Sequence, residues 1–210
     1  MTFNKLIIFD LDGVLVDSKK IHFDSLNKAL SNINKKYIIS EKEQKIIYEG
    51  LPTKNKLEIL NKKKGLDKKY FDEIFNKKQQ YSLKMFSKIS VDNDLLNYFK
   101  FIKENNIEIA IATNSIKETL NSCIKSLKIN DFISYSLCNE DVVNPKPNPE
   151  IYLKCMEYFN INPKNVVIFE DSDVGKESAK KSGAFLIEIK NRSDLTINKI
   201  KSAIGYLNES

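Results

Sequence analysis

The sequence predicts an α/β protein, a doubly wound parallel sheet interrupted after its first strand by an all-helical insertion. Two observations carry this expectation. Beyond about residue 88, short apolar runs alternate with stretches of helical period, the pattern of a parallel sheet covered on both faces. Between residues 19 and 85 apolar residues recur only at helical spacing, with no convincing strand. The sheet still needs a first strand, and the free candidate is Leu6-Ile7-Ile8-Phe9 near the N-terminus.

That strand ends in Asp10 and Asp12. Side chains alternate along extended chain, so the two carboxylates share one side, and Gly13 supplies the backbone freedom to turn out of the sheet. Crowded carboxylates repel, and a bound divalent cation or a shared proton relieves them. The same residues also describe a plain strand-end turn in which aspartate favours the bend.

In the insertion, Phe23, Leu26, Leu30 and Ile33 predict a helix over 19–34. A second is expected near 41–48. A third starts at Pro52 and ends near Gly65, with Lys62, Lys63 and Lys64 placed against the negative end of the helix dipole. Phe71, Ile74, Phe75, Tyr81 and Met85 predict a fourth within 67–87. Strands and helices then alternate: a helix with Leu95 and Phe99, a strand over 107–112, a helix with Leu120 and Ile124, and a strand over 133–137. Then come a helix with Ile151, Tyr152, Cys155 and Phe159, a buried strand over 166–169, a helix ending at Gly183, a strand over 185–189 and a last helix with Ile200 and Leu207. The expected core is therefore 1–16 with 88–210, and the helical insertion 17–87.

In open parallel sheets ligands bind beyond the carboxyl ends of the strands, so the residues just past each strand are informative. After 107–112 come Thr113, Asn114 and Ser115, equipped with a hydroxyl and backbone N–H groups for a phosphate oxygen, or equally an ordinary helix N-cap. After 166–169 come Glu170, Asp171, Ser172 and Asp173. With Asp10 and Asp12 these acids could form an oxygen cage suited to Mg²⁺, or simply place negative charge at the next helix N-terminus. In Asn144-Pro145-Lys146-Pro147-Asn148-Pro149, three alternating prolines suggest a stiff extended segment that holds Lys146 in one direction. Alone, that stretch reads as a rigid loop carrying a solvated lysine.

Together these four pieces, Phe9-Asp10-Leu11-Asp12-Gly13-Val14-Leu15, Ala112-Thr113-Asn114-Ser115, Pro145-Lys146-Pro147 and Phe169-Glu170-Asp171-Ser172-Asp173-Val174-Gly175, resemble the motifs of the haloacid dehalogenase superfamily, in the subgroup of phosphoglycolate phosphatase and β-phosphoglucomutase. The resemblance spans essentially the whole chain. It implies a Rossmann-like core with an inserted helical cap, and Mg²⁺-dependent hydrolysis of a small phosphate monoester, such as a sugar phosphate, through an aspartyl-phosphate. It makes Asp10 the nucleophile and Asp12 the general acid and base. Magnesium falls to Asp10, the Asp12 carbonyl and Asp171, with Glu170 as a further or water-mediated ligand. Thr113, the Asn114 backbone and Lys146 neutralise the phosphoryl oxygens. Asp173 is left between a supporting role and helix capping.

His22 stands where this subgroup often has a histidine near the general acid, and reads equally as a half-buried helix residue beside Phe23. The cap loop from Glu49 to Lys56 is the place for substrate selection. There Gly50 allows close approach and Thr53 or Lys54 could touch the substrate, although a surface turn ahead of a helix fits as well. Mutases of this subgroup usually carry an arginine in that loop, and Thr53-Lys54-Asn55 departs from the pattern. Hydrolysis is thus expected over phosphosugar mutation. Dehalogenases lack a second aspartate at the position of Asp12.

Composition sets the remaining bounds. The net charge of +6 could signal a non-catalytic polyanion-binding protein, but the lysines are dispersed and Arg192 is the only arginine, which argues against nucleic acid. Cys123, Cys138 and Cys155 lack metal spacing and suggest inert thiols in a reducing compartment. The apolar run before Asp10 is too short for a signal peptide, and no stretch is long enough to span a membrane. A cytoplasmic, monomeric enzyme acting on a small phosphorylated metabolite is expected.

Overall fold

A computed structural model describes residues 5–48 and 51–209. The chain divides into two compact units, Met1–Asp17 with Ile89–Ser210, and Ser18–Lys88.

The first unit is built on five strands: β1 (Leu6–Phe9), β2 (Glu108–Ala112), β3 (Tyr135–Leu137), β4 (Val166–Glu170) and β5 (Phe185–Glu188). All pair in parallel, in the order β3-β2-β1-β4-β5. Strand β1 is central, with Ile8 opposite Ala110 on one side and Ile168 on the other. This placement explains its composition: both faces of β1 are covered, so all four residues are fully buried and none is polar. Edge strand β5 is only partly covered, and its ends, Phe185 and Glu188, are exposed.

In the second unit the helices are α1 (Lys19–Ile33), α2 (Glu41–Glu43), α3 (Thr53–Lys64) and α4 (Phe71–Phe86). Leu26, Leu30, Tyr37, Leu57, Leu60 and Ile74 belong to its own apolar core. Helix α3 stops where Gly65 takes the left-handed conformation (φ 67°), with Lys62, Lys63 and Lys64 in its last turn. The expected second helix is regular for only three residues. A capping box between Ser40 and Glu43 starts it, and over Gln44–Tyr48 it widens into a π-helical segment that ends on the fully buried Tyr48.

Back in the first unit lie α5 (Asn93–Glu104), α6 (Lys117–Leu127), α7 (Glu150–Phe159), α8 (Asp173–Ser182) and α9 (Ile197–Glu209). On one face of the sheet, Leu6, Ile8, Ala110 and Ile168 pack against Ile151, Tyr152 and Cys155 of α7 and Ala179 of α8. On the other, Phe9 stacks on Phe169 at 4.9 Å between ring centroids and meets Phe99 of α5 at 5.2 Å. The three cysteines are buried and unpaired, and burial pushes the Cys123 and Cys155 thiols up to about 12. Among the described residues no helix is long and apolar enough to cross a membrane.

The strand order reverses at β1, whose neighbours β2 and β4 lead to opposite halves of the sheet. In sheets of this kind the loops leaving the switch point diverge, and ligands bind at the carboxyl ends of the strands there.

Candidate active site

Asp10 is the first residue past β1 and is 6% exposed. Its N–H still donates to the Phe169 carbonyl (3.0 Å), so the ladder holds its backbone in place. The chain then folds into a tight loop closed by Gly13 N–H to Val16 O (2.7 Å) and by two bonds to the Leu11 carbonyl. Gly13 has φ 85°, and a Cβ there would overlap the Asp171 carboxylate. Only glycine lets the first loop lie against the fourth motif.

Strand β4 ends in Glu170, fully buried. Its Oε1 accepts from Lys146 Nζ (2.5 Å) and Tyr152 Oη (2.7 Å). Its Oε2 faces the N–H groups of Asp171 (3.1 Å) and Ser172 (3.3 Å) and the Ser172 hydroxyl (3.3 Å). Ser172 then caps α8 by accepting from Gly175 N–H, and Gly175 lets the helix pass where a Cβ would overlap the Glu170 carboxylate. Asp173 is exposed in the first turn of α8, 3.9 Å from Lys176, which fits the helix-end role.

Lys146 is buried and uses three donors, to Asp10 Oδ1 (2.7 Å), Glu170 Oε1 (2.5 Å) and the Ala112 carbonyl (2.8 Å). Burial works against its ammonium, but Asp10, Tyr152 and Glu170 outweigh it and hold its pKa well above the usual lysine value. Lys146 is therefore a cation, not the solvated lysine of a plain loop. The segment around it is also not extended. A cis Lys146–Pro147 bond and a turn closed by Asn148 N–H to Pro145 O (3.0 Å) fold it back. Its direction comes from two clamps: the Asn114 amide bonds both the N–H (3.1 Å) and the carbonyl (3.3 Å) of Lys146, and Glu150 accepts from the N–H groups of Val143 and Asn144.

The N-cap reading of Thr113-Asn114-Ser115 fails. Helix α6 begins at Lys117 with Ile116 as its cap, and the Lys117 N–H donates to Glu140 rather than to this turn. Instead Thr113 Oγ1 accepts from Ser115 N–H (3.0 Å), Asn114 holds Lys146, and the Ser115 hydroxyl donates to Asp12 Oδ2 (2.6 Å). Sequence reasoning had no signal for the partner of Ser115 and only one for that of Tyr152. A tyrosine among the apolar positions of α7 was the one hint, because a buried phenol needs a partner.

Burial pushes the Asp10 carboxyl well above the usual carboxylate range. Glu170 and Asp12 add to this, and Lys146 opposes it. Burial likewise raises the Tyr152 phenol, which stays protonated and can donate to Glu170. Carboxylate oxygens of Asp10, Glu170 and Asp171 lie within 4.8 Å of one another, a hard-oxygen donor set matching Mg²⁺. Lys146 pairs with both Asp10 and Glu170, and the Asp171 carboxylate lies beside that pair, a crowding of acids that a divalent ion would relieve.

In the helical unit, His22 Nδ1 lies 3.2 Å from Lys78 Nζ and its ring meets Phe86 edge-on. Thr53 and Lys54 open α3, with Lys54 exposed, while Gly50 lies outside the described residues.

A parallel sheet whose switch point gathers Asp10, Glu170 and Asp171 around a buried lysine is the arrangement of an α/β enzyme site at the strand ends. The haloacid dehalogenase-like hydrolase family matches residues 7–189, and the chain belongs to that family. It is 31% identical over 188 residues to a phosphorylated carbohydrates phosphatase of Thermotoga maritima, covering 84% of this chain and 81% of that protein. It is 23% identical over 192 residues to the β-phosphoglucomutase of Bacillus subtilis, covering 88% and 83%. In fold it resembles the crystal structure of a HAD hydrolase, family IA, variant 3, from Entamoeba histolytica, with a TM-score of 0.77, 22% identity and coverage of 96% and 99%.

Proposed function

We propose that the protein is a Mg²⁺-dependent phosphatase that hydrolyses a small phosphate monoester, of the sugar phosphate or phosphoglycolate kind, through an aspartyl-phosphate on Asp10. The observation that carries this reading is the Lys146 bridge between Asp10 and Glu170, which fixes one oxygen of the nucleophile in a buried site beside Asp171. Asp10, the Asp12 carbonyl and Asp171 would hold the metal, with Glu170 as a direct or water-mediated partner. Bound there, Mg²⁺ supplies neutralisation of the charge on the phosphoryl oxygens.

The chain's own groups do the rest. Asp10 attacks phosphorus while Asp12 gives a proton to the leaving oxygen; Asp12 then takes a proton from the water that attacks the aspartyl-phosphate. Lys146, the Thr113 hydroxyl and the Asn114 N–H balance negative charge as it builds. The helical unit acts as the cap that excludes bulk water, with His22, Gly50, Thr53 and Lys54 as its candidates for contact with substrate. Hydrolysis is preferred to phosphosugar mutation because the insertion contains no arginine, Arg192 lying in the other unit.

The test is a phosphate-release screen over phosphorylated metabolites with Asp10→Asn as the blank. Mg²⁺-dependent release from a small monoester, lost in Asp10→Asn, is expected. Equal release by both proteins would refute the reading.

A further inference from the structure

We propose that Ser115 is a positioning residue for Asp12, holding its carboxyl in the orientation that both proton transfers need; this rests on the function proposed above. Ser115 lies in the turn from β2 to α6, and its backbone is pinned on both sides. Its N–H donates to Thr113 Oγ1 at 3.0 Å, and its carbonyl accepts from Asn139 N–H at 3.2 Å. Its hydroxyl therefore leaves a fixed base, and donates to Asp12 Oδ2 at 2.6 Å across 103 residues of chain. The Asp12 backbone is fixed as well, by the loop closed between Leu11 and Val16 and by its own bridge to Val16.

An aspartate with a fixed backbone still has its staggered χ1 wells and a terminal torsion that is broad and roughly two-fold. A short hydrogen bond to a carboxylate from a rigid donor removes that freedom. With Oδ2 held by Ser115, the plane of the Asp12 carboxyl is set. In the first half-reaction an Asp10 oxygen bonds phosphorus, the bond from phosphorus to the ester oxygen breaks, and that oxygen leaves with the proton from the Asp12 carboxyl. In the second, water oxygen bonds phosphorus, the bond to Asp10 breaks, and the water's proton returns to the Asp12 carboxyl. One orientation serves both steps, so a single fixed hydroxyl assists both.

The role differs from that of Thr113 or Asn114, which hold a backbone turn and the Lys146 segment. It also differs from helix capping, since Ile116 is the N-cap of α6 and the first helical N–H, that of Lys117, donates to Glu140.

The experiment compares wild type, Ser115→Ala and Ser115→Thr with Mg²⁺, on an alkyl phosphate and on para-nitrophenyl phosphate. Ser115→Ala is expected to lower kcat on the alkyl ester roughly 10- to 100-fold, the scale of a displaced catalytic group, with KM within about twofold of wild type. Ser115→Thr keeps the hydroxyl and should recover most of the loss. Para-nitrophenolate leaves without needing a proton, so Ser115→Ala should release it in a burst before a slow steady state set by the second step. A Ser115→Ala kcat equal to wild type, a loss confined to KM, or a Ser115→Thr variant as slow as Ser115→Ala would overturn the inference and leave the phosphatase reading standing. A wild-type protein inactive on every ester would overturn both.

Discussion

Replacing Lys146 by methionine keeps an unbranched side chain that ends about where the lysine Cε lies, and removes the charge and its donors. Nζ bonds Asp10, Glu170 and the Ala112 carbonyl, and both carboxylates are almost entirely buried, at 8% and 0% side-chain exposure. Stranding one side of a buried ion pair costs about 3–5 kcal/mol, a large part of the roughly 5–15 kcal/mol that holds a domain folded. With an m-value of about 2 kcal/mol/M in urea, the midpoint should fall by roughly 2 M at neutral pH, measured by circular dichroism in EDTA. The deficit should shrink in acid. Asp10 is already raised by burial, and losing Lys146 raises it further. A raised carboxyl contributes stability that is full below the ordinary carboxylate pKa and is lost as pH rises through its folded value. The variant should therefore suffer most at neutral pH and above, and least below about pH 4. Adding Glu170→Gln removes one stranded charge and should recover part of the loss. A midpoint shift under about 0.5 M at pH 7, or a larger deficit in acid, would refute the view that this buried pairing organises the site.

The same geometry sets two further outcomes. Gly175→Ala sets a gain in helix propensity of about 1 kcal/mol against overlap with the Glu170 carboxylate, which should cost more because that side-chain end is buried and held by Lys146, Tyr152 and Ser172. A thermal midpoint lowered by several degrees is expected, and an unchanged or raised midpoint would show that α8 yields. Mg²⁺ at about 100 times its Kd should stabilise the folded chain by about 2.7 kcal/mol. That shift should be larger at pH 8 than at pH 5.5, because the metal needs Asp10 ionised and burial keeps its proton on to higher pH. Asp171→Asn should abolish most of the shift; if it leaves the shift intact, the ligand assignment is wrong.

Local chemistry made much of this protein legible. Four consecutive apolar residues in Leu6–Phe9 announced a strand buried on both faces, and the helix ending at Gly65 was readable because a left-handed terminus favours glycine and the dipole favours the preceding lysines. The expectation weakened where a local rule met a tertiary constraint. Gln44–Tyr48 left the regular helix and ends on the buried Tyr48, and the proline segment turned back because Asn114 and Glu150 grip it from outside.

The sequence by itself determined which residue types end each strand, because side-chain period, turn preference and helix capping act over a few residues and leave their mark there. Tertiary structure alone decided which of those ends meet. Strand order put β1 between β2 and β4, and so brought Lys146 to Asp10 across 136 residues and Ser115 to Asp12 across 103. It turned Glu170 from one more acid into the acceptor for Lys146 and Tyr152, and made Gly13 indispensable for a reason found in the distant Asp171 carboxylate. A hydrogen bond between remote residues imposes no periodicity on the chain between them, so it becomes readable only once the sheet has formed.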